Sequence, residues 1–112
     1  MGLKFTLERA FQFGWEGLKG WAYNSANDFP RASAAIFEVT THHGKVKSTI
    51  SDRVYYVLEG NGDFVVGEEV VHVKAQDVVI VPKNTPYDYR GKMRLFLVHV
   101  PAYDESGEVK ME

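Results

Sequence analysis

The sequence predicts an all-β protein built as one domain, and three observations carry that expectation. The chain has 112 residues, within the range of a single domain. From residue 34 onward, short runs rich in Val, Ile, Tyr and Phe follow one another. They recur every 8 to 12 residues or so and are separated by Gly, Asn, Asp and Pro, the spacing of a sandwich or barrel.

Taken in order, the expected strands are 34–40, 53–58, 64–66, 70–74, 78–81 and 94–100. Branched and aromatic side chains suit a pleated, half-buried surface. Glu59-Gly60-Asn61-Gly62-Asp63 is expected to close a hairpin, because two glycines around an Asn accept left-handed backbone. Glu68-Glu69 beside Gly67 is expected as a solvated hairpin tip. Asn84-Thr85-Pro86 is expected as a turn, since Pro86 cannot donate to a ladder. Upstream, residues 1–33 hold Trp15, Trp21, Tyr23 and Phe29 among Gly14, Gly17 and Gly20. That mixture suggests irregular strand and loop, with Phe5 to Phe13 open between a helical turn and an edge strand. This segment is expected to pack on the barrel or on a partner. The stretch 104–112, acidic and poor in apolar groups, is expected as a frayed tail. The barrel itself would occupy 34–103.

Composition excludes several classes. Lys plus Arg total 13 and Asp plus Glu 15, a net charge of −2, which suits neither a nucleic-acid backbone nor an anionic membrane. With no cysteine, the chain has neither a disulfide framework nor a thiol nucleophile. The N-terminus lacks an apolar run of signal-peptide length. Gly2 and Thr6 fit only a bare myristoylation pattern that matches by chance. A cytoplasmic protein is expected, binding a small molecule and neither nucleic acid nor membrane. The aromatic N-terminal third suggests a homodimer, because so many large rings would form a sizeable apolar patch.

Two stretches carry a family resemblance. Ser51-Asp52-Arg53-Val54-Tyr55-Tyr56-Val57-Leu58-Glu59-Gly60-Asn61-Gly62 resembles the strand and turn ending the first cupin motif. Gln76-Asp77-Val78-Val79-Ile80-Val81-Pro82-Lys83-Asn84-Thr85-Pro86-Tyr87 resembles the second. The resemblance covers about 34–101 and implies a cupin-like jelly-roll, a double-stranded β-helix with its ligand site inside one open end. It also implies where metal ligands would stand. Those positions hold Lys47 and Thr49 (Val46 and Ser48 if the spacer is one longer), Arg53 and Tyr87. A guanidinium repels a divalent cation, so no metal and no cofactor are expected. Nor are the histidines expected to rebuild a centre, although in a loop His42 and His43 could converge. His42 and His43 are adjacent and would face opposite ways on a strand, and His72 and His99 lie in separate strands. The pair reads as surface histidines near a turn, the other two as half-buried strand residues.

Alternation aims Lys47, Thr49, Arg53, Tyr55, Tyr87 and Tyr89 into the barrel mouth. Such a set suits a small polar or anionic ligand: Arg supplies a planar fork and the phenols supply donors and walls. Asp88 and Arg90 would lie outside as an exposed pair. The expected function is small-molecule binding by a cupin-like protein without the usual metal site. The alternative is a metal-independent isomerase, epimerase or lyase acting on a small carbohydrate or carboxylate, with Tyr87 as acid and Lys47 or a His as base.

Overall fold

The computed structural model describes residues 3–111; Met1, Gly2 (with its myristoylation pattern) and Glu112 lie outside the described residues. Among the described residues, nine strands form one curled antiparallel sheet: β1 Phe11–Trp15, β2 Leu18–Ala22, β3 Ser33–Val39, β4 Val46–Ser48, β5 Asp52–Val66, β6 Glu69–Lys74, β7 Val78–Val81, β8 Tyr87–Val100 and β9 Glu108–Lys110. The order β1-β2-β3-β8-β4-β9 is completed by β5, which pairs with β6, β7 and β8. No helix among the described residues is long and apolar enough to cross a membrane.

Alternation builds the interior. On β5, Arg53, Tyr55 and Val57 are buried while Val54 and Tyr56 are less so. Register sets Tyr55 between Val79 and Leu97, and Val57 beside Leu95. Phe37 then continues the layer from Leu95 into β3. These residues and Leu18, Val39, Phe64, Val73 and Met93 form one apolar core.

Two expectations are corrected and a third is narrowed. Residues 59–63 form no turn, because β5 runs on unbroken to Val66 with an irregularity between Val57 and Glu59. The glycines serve close approach instead. A Cβ on Gly60, at φ 85°, would lie 2.0 Å from the Lys92 carbonyl oxygen, and one on Gly62 would lie 2.2 Å from that of Arg90. The hairpin tip lies at Gly67-Glu68, between β5 and β6. Next, residues 104–110 are ordered rather than frayed. The Asp104 side chain accepts from the Ser106 amide to cap a 3-10 turn, and β9 then pairs with β4. Burying Gly107 and linking Glu108 to Arg53 outweighs the polar composition. Finally, β1 and β2 form a hairpin that extends the chain's own sheet through β3. A 3-10 turn, Leu7–Arg9, precedes β1, so the stretch from Phe5 to Phe13 contains both a turn and an edge strand.

Candidate functional site

Four aromatic side chains and a guanidinium meet inside the barrel. Tyr55 comes from β5 and Tyr87 and Tyr89 from β8; all three are buried. Phe64, from the far half of β5, stacks on Tyr89 with centroids 4.7 Å apart. The Tyr55 and Tyr87 hydroxyls are hydrogen-bonded at 2.9 Å. Arg53, only 3% exposed, donates from Nη1 to the Tyr87 hydroxyl and from Nη2 to Glu108 Oε2. The Glu108 carboxylate, supplied by β9, thus occupies one arm of the fork.

His43 belongs to the same cluster. It leaves the loop after β3 and is fixed by its amide, which donates to the Tyr89 carbonyl oxygen at 2.9 Å. Its ring stacks on Tyr89 at 4.8 Å and on Tyr87 at 5.7 Å. Nδ1 lies 2.8 Å from the Gly44 carbonyl oxygen. A carbonyl only accepts, so Nδ1 carries the proton and Nε2 keeps a free lone pair. Burial, helped by the Arg53 and His42 charges, lowers the His43 pKa to about 4, despite the Gly44 bond and Asp88. Desolvation pushes the Tyr55 and Tyr89 hydroxyls well above their usual range and raises Tyr87 as well, so all three phenols stay protonated. Against its own desolvation, Arg53 is held charged by Tyr87, Tyr55 and Glu108.

Two polar atoms in this interior have no hydrogen-bond partner among the described residues, the Tyr89 hydroxyl and Arg53 Nε. Buried polar groups are normally satisfied. The Tyr89 hydroxyl, with the Tyr55 hydroxyl as its neighbour, therefore makes no close hydrogen bond and can donate to a ligand.

Of the six residues expected in the mouth, Arg53, Tyr55, Tyr87 and Tyr89 are brought together. Lys47 and Thr49 are not. The register is one residue off, so Val46 packs on the core and Ser48 is buried. Lys47 pairs with Val109 on β9, and exposed Thr49 bonds the Gly107 carbonyl oxygen. Lys47 is therefore no candidate base. The histidines divide differently from expectation. His42 is exposed as expected, while His43 turns into the cluster. His72 is exposed and bonds Asp63. His99 is buried at the Arg53 end, 3.4 Å from Ser33 Oγ, and burial with the Arg53 charge lowers its pKa to about 3. The exposed pairing falls to Arg90 and Asp63 at 3.7 Å, because Asp88 accepts from the Gly44 amide instead.

A metal is what this fold family would imply, and the donor set does not suit one. A buried guanidinium stands amid protonated phenols, and the nearest carboxylate is committed to it. Among the described residues no three His, Cys, Asp or Glu side chains group as ligands.

Comparison with known proteins identifies the family and the fold. The cupin domain family matches residues 38–100. Pac13, described as a unique nucleoside dehydratase, is 29% identical with a TM-score of 0.91, over 100% of this chain and 92% of that one. Streptomyces PAC13 variants H42Q and Y89F, each with uridine, are 28% identical with TM-scores of 0.92 and the same coverage. KdgF from Halomonas sp., 14% identical with a TM-score of 0.80 over 95% of this chain and 99% of that one, shares the fold. No curated protein matches the sequence significantly.

Proposed function

From the premise that this chain belongs to the cupin domain family, we propose that it is a metal-independent lyase removing water from a nucleoside-like substrate held in the barrel. The observation that carries the reading is the pairing of a neutral His43, lone pair free at Nε2, with the unpartnered Tyr89 hydroxyl on the ring it stacks against. His43 Nε2 takes a proton from a carbon beside an electron-withdrawing group, the C–H electron pair forms the new double bond, and the hydroxyl on the neighbouring carbon departs. A protonated phenol, Tyr89 or Tyr55, donates to that leaving oxygen, so one water is released. Tyr87, bonded to both Tyr55 and Arg53, holds the donors in line. Support for the nucleoside class comes from the likeness to Pac13 and to its variants with uridine, which alter a histidine and a tyrosine, residue types that build this cluster.

In this reading Arg53 organises Tyr87 and β9 rather than receiving a ligand anion. The epimerase alternative needs its base and its acid on opposite faces of the reacting carbon, whereas His43 lies stacked against Tyr87 and Tyr89. Isothermal titration with uridine tests binding. His43→Gln, assayed for water loss on a nucleoside bearing a carbonyl-acidified proton, tests the chemistry. The expectation is retained binding with turnover lower by about 10²- to 10⁴-fold. Wild-type turnover in the variant would refute the assignment.

The reading includes a cytoplasmic homodimer. On the outer sheet face, register aligns Ile80-Val54-Val98-Ala34 and Val78-Tyr56-Phe96-Ile36-Trp21 as two apolar rows. Ile80 and Val78 are the most exposed of these. Beside them Lys19, Glu38, Arg94 and Glu59 alternate in sign across four strands, a margin that can pair with its own copy. Sedimentation should show a dimer at tens of micromolar and a monomer for Ile80→Glu; a monomeric wild type would refute it.

A further inference from the structure

β1 carries a feature the proposed chemistry does not use. Phe11, Phe13 and Trp15 alternate along it and share one face. That face is the barrel side. Phe13 meets core Phe37 edge-on at 5.5 Å, and Trp15 lies 5.6 Å from His43. Successive rings keep a common tilt, 19° between Phe11 and Phe13 and 34° between Phe13 and Trp15. The sequence makes room for this. A Cβ on Gly20 of β2 would fall 2.4 Å from the Phe13 ring, so only glycine lets that ring lie flat. Yet Phe11 is 71% and Trp15 49% exposed. The indole N–H already donates to the His43 carbonyl oxygen at 3.2 Å, so what Trp15 still offers a ligand is exposed ring surface rather than a donor. No charged residue interrupts the strand, whose intervening positions are Gln12 and Gly14.

We infer that β1 is a stacking shelf for the planar base of the ligand, with Phe11 and Trp15 as its contact surfaces. The inference rests on the nucleoside reading above and adds the residues that select the base. Aromatic faces in line, without charge and leading to His43 through Phe37, suit a flat heteroaromatic ring better than a sugar, which needs polar partners. A base on the shelf would set its sugar toward His43 and the tyrosines. Stacking on one aromatic side chain is worth roughly five- to a hundredfold in affinity.

The test titrates uridine, uracil and ribose against wild type, Phe11→Ala and Phe11→Trp. Phe11 is exposed, so both variants should fold, as circular dichroism will verify. The expected result is about tenfold weaker uridine and uracil binding in Phe11→Ala, recovery in Phe11→Trp, and no change for ribose. Uracil should also quench Trp15 fluorescence in a Trp21→Phe background. Equal uridine binding by wild type and Phe11→Ala would overturn the shelf while leaving the nucleoside reading intact. Uracil binding that follows the shelf variants, without turnover of any nucleoside, would support the shelf and sink the lyase. If no planar probe binds wild type, both fall. If Phe11→Ala instead converts a dimer to a monomer without changing ligand binding, a second copy covers β1 and the shelf is wrong.

Discussion

Two neighbouring parts of the interior treat buried charge in opposite ways. Around Arg53, charge is matched: Glu108 and the Tyr87 hydroxyl take the two terminal nitrogens, and the last strand is tied down by the same contact. Around His43, charge is avoided. The imidazole is neutral, its neighbours are protonated phenols, and the Tyr89 hydroxyl has no partner. The first arrangement holds the fold, because separating a buried pair strands a charge. The second is tolerable only where something else completes it. Matched charge marks the strut and unmatched neutrality marks the proposed site.

The largest effect is expected at Arg53. Arg53→Met leaves Glu108 half-buried without its cation and should cost about 3–5 kcal/mol. Thermal melting should show it, and a second substitution, Glu108→Leu, should recover much of the loss. A melting point unmoved by Arg53→Met would mean the pair is no strut.

Acid should separate the regions next. His43 and His99 are held neutral, with pKa values of about 4 and about 3 against an ordinary 6.5. Because the folded values are depressed, their contribution is complete above pH 6.5. It is lost as pH falls toward 3, since the unfolded chain takes up protons first. Each pH unit separating the folded from the unfolded value is worth about 1.4 kcal/mol, so stability should drop by a few kcal/mol between pH 7 and pH 4 in denaturant titrations. Turnover should keep a flat acid limb until about pH 4, where His43 itself protonates. A limb near pH 6.5 would show that His43 is solvated during the proposed reaction.

A smaller contrast lies between two tyrosines. Tyr87→Phe removes a hydroxyl with two partners and should cost about 0.5–1.5 kcal/mol of stability. Tyr89→Phe removes one with none and should be neutral or slightly stabilising, while weakening the ligand by a similar amount. Equal melting points for both would erase the distinction. Smallest of all, a chelator should leave the melting point where it is; a drop of several degrees would reveal a bound metal that stabilises the native state.

Period-two alternation made much of this site legible. Arg53, Tyr55, Tyr87 and Tyr89 sit on long strands whose inner face can be read from sequence, and all four point inward. Lys47 and Thr49 failed because β4 is three residues long, too short to fix its own register, and a slip of one reverses every side chain. His43 stands in a loop, where no periodicity says which of two adjacent histidines turns in; what selects it is the amide bond to the Tyr89 carbonyl oxygen. Glu108 was hidden by composition. An acidic tail looks unstructured until its partner, a buried arginine 55 positions away, is known. The same limit applies to Gly60 and Gly62, whose purpose is the approach of β8 rather than a turn of their own.

β8 is also where time enters. It is the shared neighbour of β3, β4 and β5, and its pairing with β3 brings together Ser33 and His99, 66 positions apart. No ladder across the middle of the barrel can close until this strand arrives, and every closure is over a long loop. The chain should therefore refold on the millisecond-to-second scale of non-local β proteins rather than in microseconds. Until then β3 and β5 stay unpaired along these edges, so dilution and low temperature during refolding should raise the yield of native protein.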